Sequence, residues 1–331
     1  MAASEPQTPA PVLRPAHPDW SGATANPEVQ EGVAQLPLSG APRPFQLFSV
    51  TGFPCSGMDW VGRLLTLHPS VLVVDSPNRL GPLGGKRAAT AIEQRRAADE
   101  ALRRLLDAAA SKPAATHLGA VIVHGDSRCL PGPAIMVMRD GRDVLVHWTL
   151  RQLRDRGAAL LRFLDPSKGN RMPEIERRFR ADPEDVIARN PGLLLSDYDW
   201  VRYGAHLWDD QVTGHAGSMG AIEDGRISGP MPAELNFERA RSDPHAAFVA
   251  IVSALGLDPA LAPAFPASGD PVTASETAAD LLAEWEVGIW RRYFTPRAGK
   301  LFKMDAWQGL EYVTQNYGDD DWVGECQPGP G

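Results

Sequence analysis

Between Gly52 and Gly57 the chain reads Gly-Phe-Pro-Cys-Ser-Gly, followed by Met58, Asp59 and Trp60. A glycine-bearing loop between an apolar run and a helical pattern can aim several backbone N–H groups and a helix N-terminus at one spot. A phosphate is stabilised there. An ordinary strand-to-helix turn has the same outline. The two glycines also have the spacing of the phosphate loop G-x-x-x-x-G, but Met58 and Asp59 stand where a nucleoside triphosphatase carries Lys and Ser or Thr. With neither that lysine nor a hydroxyl to hold magnesium, ATP or GTP hydrolysis is poorly supported. Arg139 with Arg142, and Arg291 with Arg292, form local basic clusters able to grip a small polyanion. His124 follows a strand-like run, where a lone histidine is usually structural. The remaining histidines show no ligand spacing, so no metal is implied.

The elements that must position these residues can be read from periodicity. Leu47, Phe48 and Val50 form a buried strand, and Trp60, Val61, Leu64, Leu65 and Leu67 recur at helical spacing up to Pro69. Residues 71–74 are a second strand. A helix covers 87–110 on composition. Strands at 120–123 and 134–138 deliver His124 and Arg139, and a helix covers 144–153. Alternating strands and helices predict an α/β fold, a mainly parallel sheet flanked by helices on both faces. Ligands of such sheets sit beyond the carboxyl ends of the strands, where the loop, His124 and Arg139 converge.

Further along, 154–195 reads as short helices with irregular connections, either an acceptor wall or a passive surface. Residues 198–212 form a helix, 214–229 a glycine-rich loop, 234–237 a last strand and 246–255 an apolar helix. The helical pattern returns through Trp285, Ile289 and Trp290 to a terminal segment at 301–317. Residues 1–44 read as a flexible Pro/Ala-rich leader, 45–318 as one domain and 319–331 as a tail.

The 331 residues carry a net charge of −8, which argues against a general nucleic-acid binder. Three scattered cysteines, Cys55, Cys129 and Cys326, form no disulfide framework and point to a reducing cytoplasm. The N-terminus lacks a signal-peptide pattern, and no apolar run approaches a membrane span.

Phe53-Pro54-Cys55-Ser56-Gly57-Met58-Asp59-Trp60 resembles the phosphosulfate loop of sulfotransferases, aromatic-Pro-Lys/Arg-Ser-Gly-Thr-Thr-Trp. Arg139-Asp140-Gly141-Arg142-Asp143-Val144, with His147 three residues on, resembles the family's Arg-Asp-Pro-Arg-Asp-Val and its following Ser. The family's general-base histidine lies between these signatures, and His124 occupies that place. The resemblance implies a P-loop-like three-layer fold and transfer of a sulfuryl group from 3′-phosphoadenosine 5′-phosphosulfate to a hydroxyl or amine, without a metal. It implies that Pro54, Cys55, Ser56, Gly57, Met58, Asp59 and Trp60 line the donor site. Arg139 and His147 would hold the 3′-phosphate, and His124 would take the acceptor's proton. Segment 288–295 is similar to the family's late Gly-Asp-Trp element. The Arg-Lys-Gly that normally precedes it is replaced by Ala283-Glu284-Trp285, leaving Arg291, Arg292, Arg297 or Lys300 to supply the second grip.

The departures share one direction. Cys55 removes a cation and Asp59 adds an anion near the helix N-terminus. Ser56 and Asp59 have the spacing of a capping arrangement. Cys55 is either a small packed residue or a reactive thiol. The alternative to an enzyme is therefore a protein of the same fold that binds nucleotide or acts as a scaffold. A phosphoryl-transfer enzyme is the least supported. The acceptor and oligomeric state are not legible.

Overall fold

The computed structural model describes residues 13–14, 45–75, 104–105, 107–109, 111–123, 132–156, 174, 177–178, 181–182, 194–226, 231–261 and 286–317. His124, most of the leader, most of the helix expected at 87–110, most of 154–195, Trp285 and the tail lie outside them. The chain divides into two compact units. A sheet unit holds 1–52, 58–138 and 228–275, and a helical unit holds 53–57, 139–227 and 276–331.

The sheet unit contains β1 (Leu13–Arg14), β2 (Gln46–Gly52), β3 (Val71–Asp75), β4 (His117–Val123), β5 (Ala134–Met138) and β6 (Ala233–Asn236), in the spatial order β1-β6-β5-β2-β4-β3. Five strands run parallel, and Leu13 and Arg14 pair antiparallel with Leu235 and Glu234 at the edge. β2 is central and buried from Leu47 to Gly52, as its near-continuous apolar run requires. The strand order reverses at β2, and Gly52 sits level with Val123 of β4 and Val137 of β5. The three strands that precede the loop, His124 and Arg139 therefore end together.

Side chains alternate across the sheet. One face carries Val73 and Val121, which approach Gly62 of helix α1 (Met58–Thr66). The other carries Leu118, Ala120 and Ile122, packed with Leu47 and with Leu105 and Ala109 from the helical residues 104–105 and 107–109. The unit is thus an α/β sandwich with helices on both faces. Trp60, Val61, Leu64 and Leu65 of α1 are fully buried. Lys112 Nζ ends that helix by donating to the carbonyls of Thr66, His68 and Val71 at 2.7–3.2 Å, a cation placed where the helix dipole favours one. The predicted strand at 234–237 stops one residue early. Asn236 Oδ1 accepts the Arg239 N–H at 2.9 Å, so Phe237 begins helix α4 (Phe237–Ser242), which precedes α5 (Pro244–Ala254).

The helical unit, numbered in the same chain order, contains α2 (Gly141–Arg156), α3 (Tyr198–Glu223), α6 (Trp290–Tyr293), α7 (Pro296–Asp305) and α8 (Trp307–Tyr317). The glycine-rich loop expected from Gly214 is instead the second half of α3. Each glycine costs about 1 kcal/mol relative to Ala in a helix, but Gly214 and Gly217 lie on the outer face. Val201, Trp208, Val212 and His215 are buried on the inner one. An apolar side chain gains roughly 1.5–3 kcal/mol on full burial, so packing against α7 and α8 outweighs local preference. Thr295 caps α7, and Ala306 interrupts the expected run from 301 to 317.

Candidate anion-binding site in the helical unit

The loop Phe53–Gly57 leaves the central strand as a tight turn in which the Ser56 N–H donates to the Phe53 carbonyl at 3.0 Å. Cys55 and Gly57 both have positive φ, 66° and 95°. Glycine adopts this conformation freely, whereas a side-chain-bearing residue spends about 1–2 kcal/mol on it. The structure holds Cys55 there: Arg139 Nη1 donates to its carbonyl at 2.9 Å. Phe53 packs edge-on to Trp148 of α2, with ring centroids 5.9 Å apart. Pro54 and Cys55 are half-buried. Ser56 is 1% exposed, and its Oγ has no hydrogen-bond partner among the described residues.

Arg139 is itself 1% exposed. Besides Cys55 it fastens a second segment, with Nη2 on the Glu286 carbonyl at 2.9 Å. Its own carbonyl accepts Trp208 Nε1 at 3.2 Å. The following residues close a buried network. Arg142 pairs with Asp140 at 2.7 Å and lays its guanidinium 3.8 Å from the Trp290 ring centroid. Asp143 accepts the N–H groups of Gly288 at 2.6 Å and Trp290 at 2.9 Å. Burial, and then the neighbouring Asp140 carboxylate, push the Asp143 carboxyl up to about 6, against the pull of Arg139 and the two N–H donors. Gly141, where the family pattern has Pro, leaves room for aromatic rings: a Cβ there would meet Trp208 at 2.5 Å and Phe302 at 2.7 Å.

His147 lies one turn further along α2, 1% exposed, with neither ring nitrogen partnered among the described residues. Burial, and then the positive charge of Arg139, hold its pKa well below the ordinary histidine value. The ring is neutral at neutral pH. Ser56 Oγ and the His147 ring are thus two buried polar groups without partners, each costing about 1–3 kcal/mol until something bonds to it. Arg139 is beside both segments. An anion suits this set.

The other expected site residues that are described are divided between the two units. Met58, Asp59 and Trp60 belong to the sheet unit. Met58 and Trp60 are buried, Trp60 edge-on to Phe237 at 5.8 Å and under the Arg241 guanidinium at 5.4 Å. Asp59 is half-buried in the first turn of α1. The Ser56 cap expected for α1 is not made: the helix begins at Met58, and Ser56 Oγ has no described partner. Arg291 and Arg292 are exposed, the first 5.0 Å over Trp290 and the second paired with Glu286. Arg297 sits 4.4 Å over Tyr198. His124 is outside the described residues. Sequence reasoning gave no role to Asp143, although it is the second acid of the quoted motif, and none to Trp208 or the Glu286 carbonyl. A backbone acceptor leaves no signal in a sequence.

Among the described residues no group of three or more His, Cys, Asp or Glu could hold a metal ion, and no helix is long and apolar enough to cross a membrane. No protein-family model and no curated protein matches the chain. Among solved structures it is similar to mouse sulfotransferase SULT7A1 complexed with PAP, with a TM-score of 0.38 and 14% identity over 88% of this chain and 90% of that one. A likeness of that degree bears on neither ligand nor activity here.

Proposed function

We propose that the chain is a sulfotransferase-like protein that takes 3′-phosphoadenosine 5′-phosphosulfate at loop 53–57 and the Arg139 turn. The sulfuryl group would pass to a hydroxyl or amine of an acceptor. One observation carries the reading. The two segments that resemble the family's signatures are joined by the Arg139–Cys55 hydrogen bond, and Ser56 Oγ and the His147 ring are buried there without partners. The fit is chemical: two uncompensated polar groups and a buried cation match a phosphate. When bound, the donor supplies an activated sulfuryl group on a phosphate leaving group. Ser56 and the loop N–H groups hold the phosphosulfate end. His147 donates to the 3′-phosphate. Arg139 contributes charge while its terminal nitrogens keep Cys55 and Glu286 in place. His124 removes the acceptor's proton, on the resemblance alone.

A second reading, a nucleotide-binding module without catalysis, is favoured by the engagement of Arg139 Nη1 and Nη2 with backbone carbonyls and by Cys55 where the family carries a cation. Calorimetric titration with 3′-phosphoadenosine 5′-phosphate and with ATP, each with and without magnesium, tests the site. Magnesium-independent preference for the 3′-phosphorylated nucleotide is expected, and tighter, magnesium-dependent ATP binding overturns the reading. The two readings separate on turnover. In an enzyme, His124→Ala keeps nucleotide binding but slows transfer on the order of a hundredfold or more. Binding with no transfer in wild type or variant identifies the module.

A further inference from the structure

We infer that His147 takes up a proton when the site binds a phosphate dianion, so that nucleotide affinity is coupled to pH; this rests on the reading that loop 53–57 and the Arg139 turn hold a 3′-phosphorylated nucleotide. A buried histidine with a structural role has its nitrogens occupied. The His147 ring has neither occupied among the described residues, and the charge that acts on it is the Arg139 guanidinium. That arrangement opposes an imidazolium in the free protein, through burial first and then through repulsion between like charges. A dianion bound beside Arg139 reverses both influences. It gives the imidazolium N–H an acceptor and inserts two negative charges next to the two cations. The balance is simple: one proton moves from solvent to a ring nitrogen, and no bond in the ligand changes.

On the same helix, Asp143 is the other group able to take up a proton: burial and Asp140 push its carboxyl up to about 6, while the Gly288 and Trp290 N–H groups oppose that. Its uptake is common to wild type and the His147 variants and cancels in the difference, and Asp140 is paired with Arg142. On α3, burial pushes the Tyr203 phenol further up from its already high value. Arg291 and Arg292 on α6 are exposed. Ser56, whose Oγ is also without a hydrogen-bond partner among the described residues, does not titrate. A serine in place of His147 could donate a hydrogen bond but could not answer pH, so the coupling belongs to this chain's histidine.

The test is calorimetry of the full chain with 3′-phosphoadenosine 5′-phosphate between pH 6.5 and 8, in phosphate-free buffers of different ionisation enthalpy. The dependence of the heat on buffer gives the protons taken up. Wild type is expected to take up more than His147→Gln by about half to one proton per nucleotide, and its affinity to fall by up to roughly tenfold per pH unit through the titration. The nucleotide's own phosphate titration is common to both proteins and cancels in the difference. His147→Ser provides a second comparison if the glutamine variant binds too weakly. Ring carbon shifts in the NMR spectrum of wild type report the protonation of His147 without any variant. Equal uptake in wild type and variants, or a His147 ring that stays neutral in the complex, overturns the inference while leaving nucleotide binding intact. Failure of wild type to bind the nucleotide at all instead overturns the donor-site reading on which it stands.

Discussion

His68 and His117 of the sheet unit and His147 of the helical unit are all buried and are treated in opposite ways. In the sheet unit His68 is fully buried and both nitrogens are used: Nδ1 accepts the Ser70 N–H at 3.1 Å, and Nε2 donates to the Asp258 carbonyl at 3.0 Å. His117 is likewise held, with Nε2 on the Leu255 carbonyl at 3.1 Å and Nδ1 beside Thr116 Oγ1 at 2.9 Å. Burial lowers its pKa, the Leu255 carbonyl partly restores it, and His68 adds to the lowering. In the helical unit His147 is as deeply buried, next to a cation, with no described partner at either nitrogen. The difference teaches how to separate a core histidine from a ligand-binding one: burial is shared, and the hydrogen-bond inventory divides them.

Four substitutions, read in three measurements, break or sharpen that contrast. The largest effect is expected from Arg139→Ala, which removes the cation facing His147. It leaves the Cys55 and Glu286 carbonyls without that donor and Asp140 and Asp143 less compensated, a loss of about 3–5 kcal/mol as for other broken buried charge networks. A denaturant titration reads it, and an unchanged midpoint would mean that the guanidinium fastens nothing. Next is a paired measurement. His68→Leu strands the Ser70 N–H and the Asp258 carbonyl and should cost about 1–3 kcal/mol, whereas His147→Leu, which strands nothing and removes an unpartnered polar ring, should be neutral or stabilising. Equal losses would erase the distinction between the two regions. The smallest effect is a gain. Cys55→Gly relieves a left-handed residue at the price of chain entropy, for a net stabilisation of up to ~1 kcal/mol; a destabilised variant would show that the loop does not depend on that backbone conformation.

Much of the scaffold was legible because its signals are local. Continuous apolar runs at 47–50, 71–74, 120–123 and 134–138 became parallel strands, and the Trp60–Leu65 pattern became a helix on one face of the sheet. The loop and Arg139 were readable as partners because each follows a strand that ends at the same level. Failures came where long-range packing opposed local preference. Gly214, Gly217 and Gly220 speak for a loop, yet the buried face of α3 carries the helix past them to Glu223. Asn236 looks like a strand residue and acts as one, but its side chain also starts a helix.

Sequence by itself determined the order of the five parallel strands and the set of residues at their ends, because both follow from periodicity and from glycine placement along neighbouring residues; it read residues 1–44 as a leader and missed the edge strand at Leu13–Arg14. It also determined which charges the loop lacks. Only the tertiary structure decided what those residues do with their atoms. Arg139 spends its terminal nitrogens on the carbonyls of Cys55 and Glu286, one 84 residues before it and the other 147 after. Asp143 reaches Gly288 and Trp290 across a similar span. Ser56 and His147 are buried with nothing described to bond to. Hydrogen-bond partnership depends on distances of a few ångströms between groups far apart in the chain, so which polar groups were satisfied, and which were left for a ligand, was settled by packing.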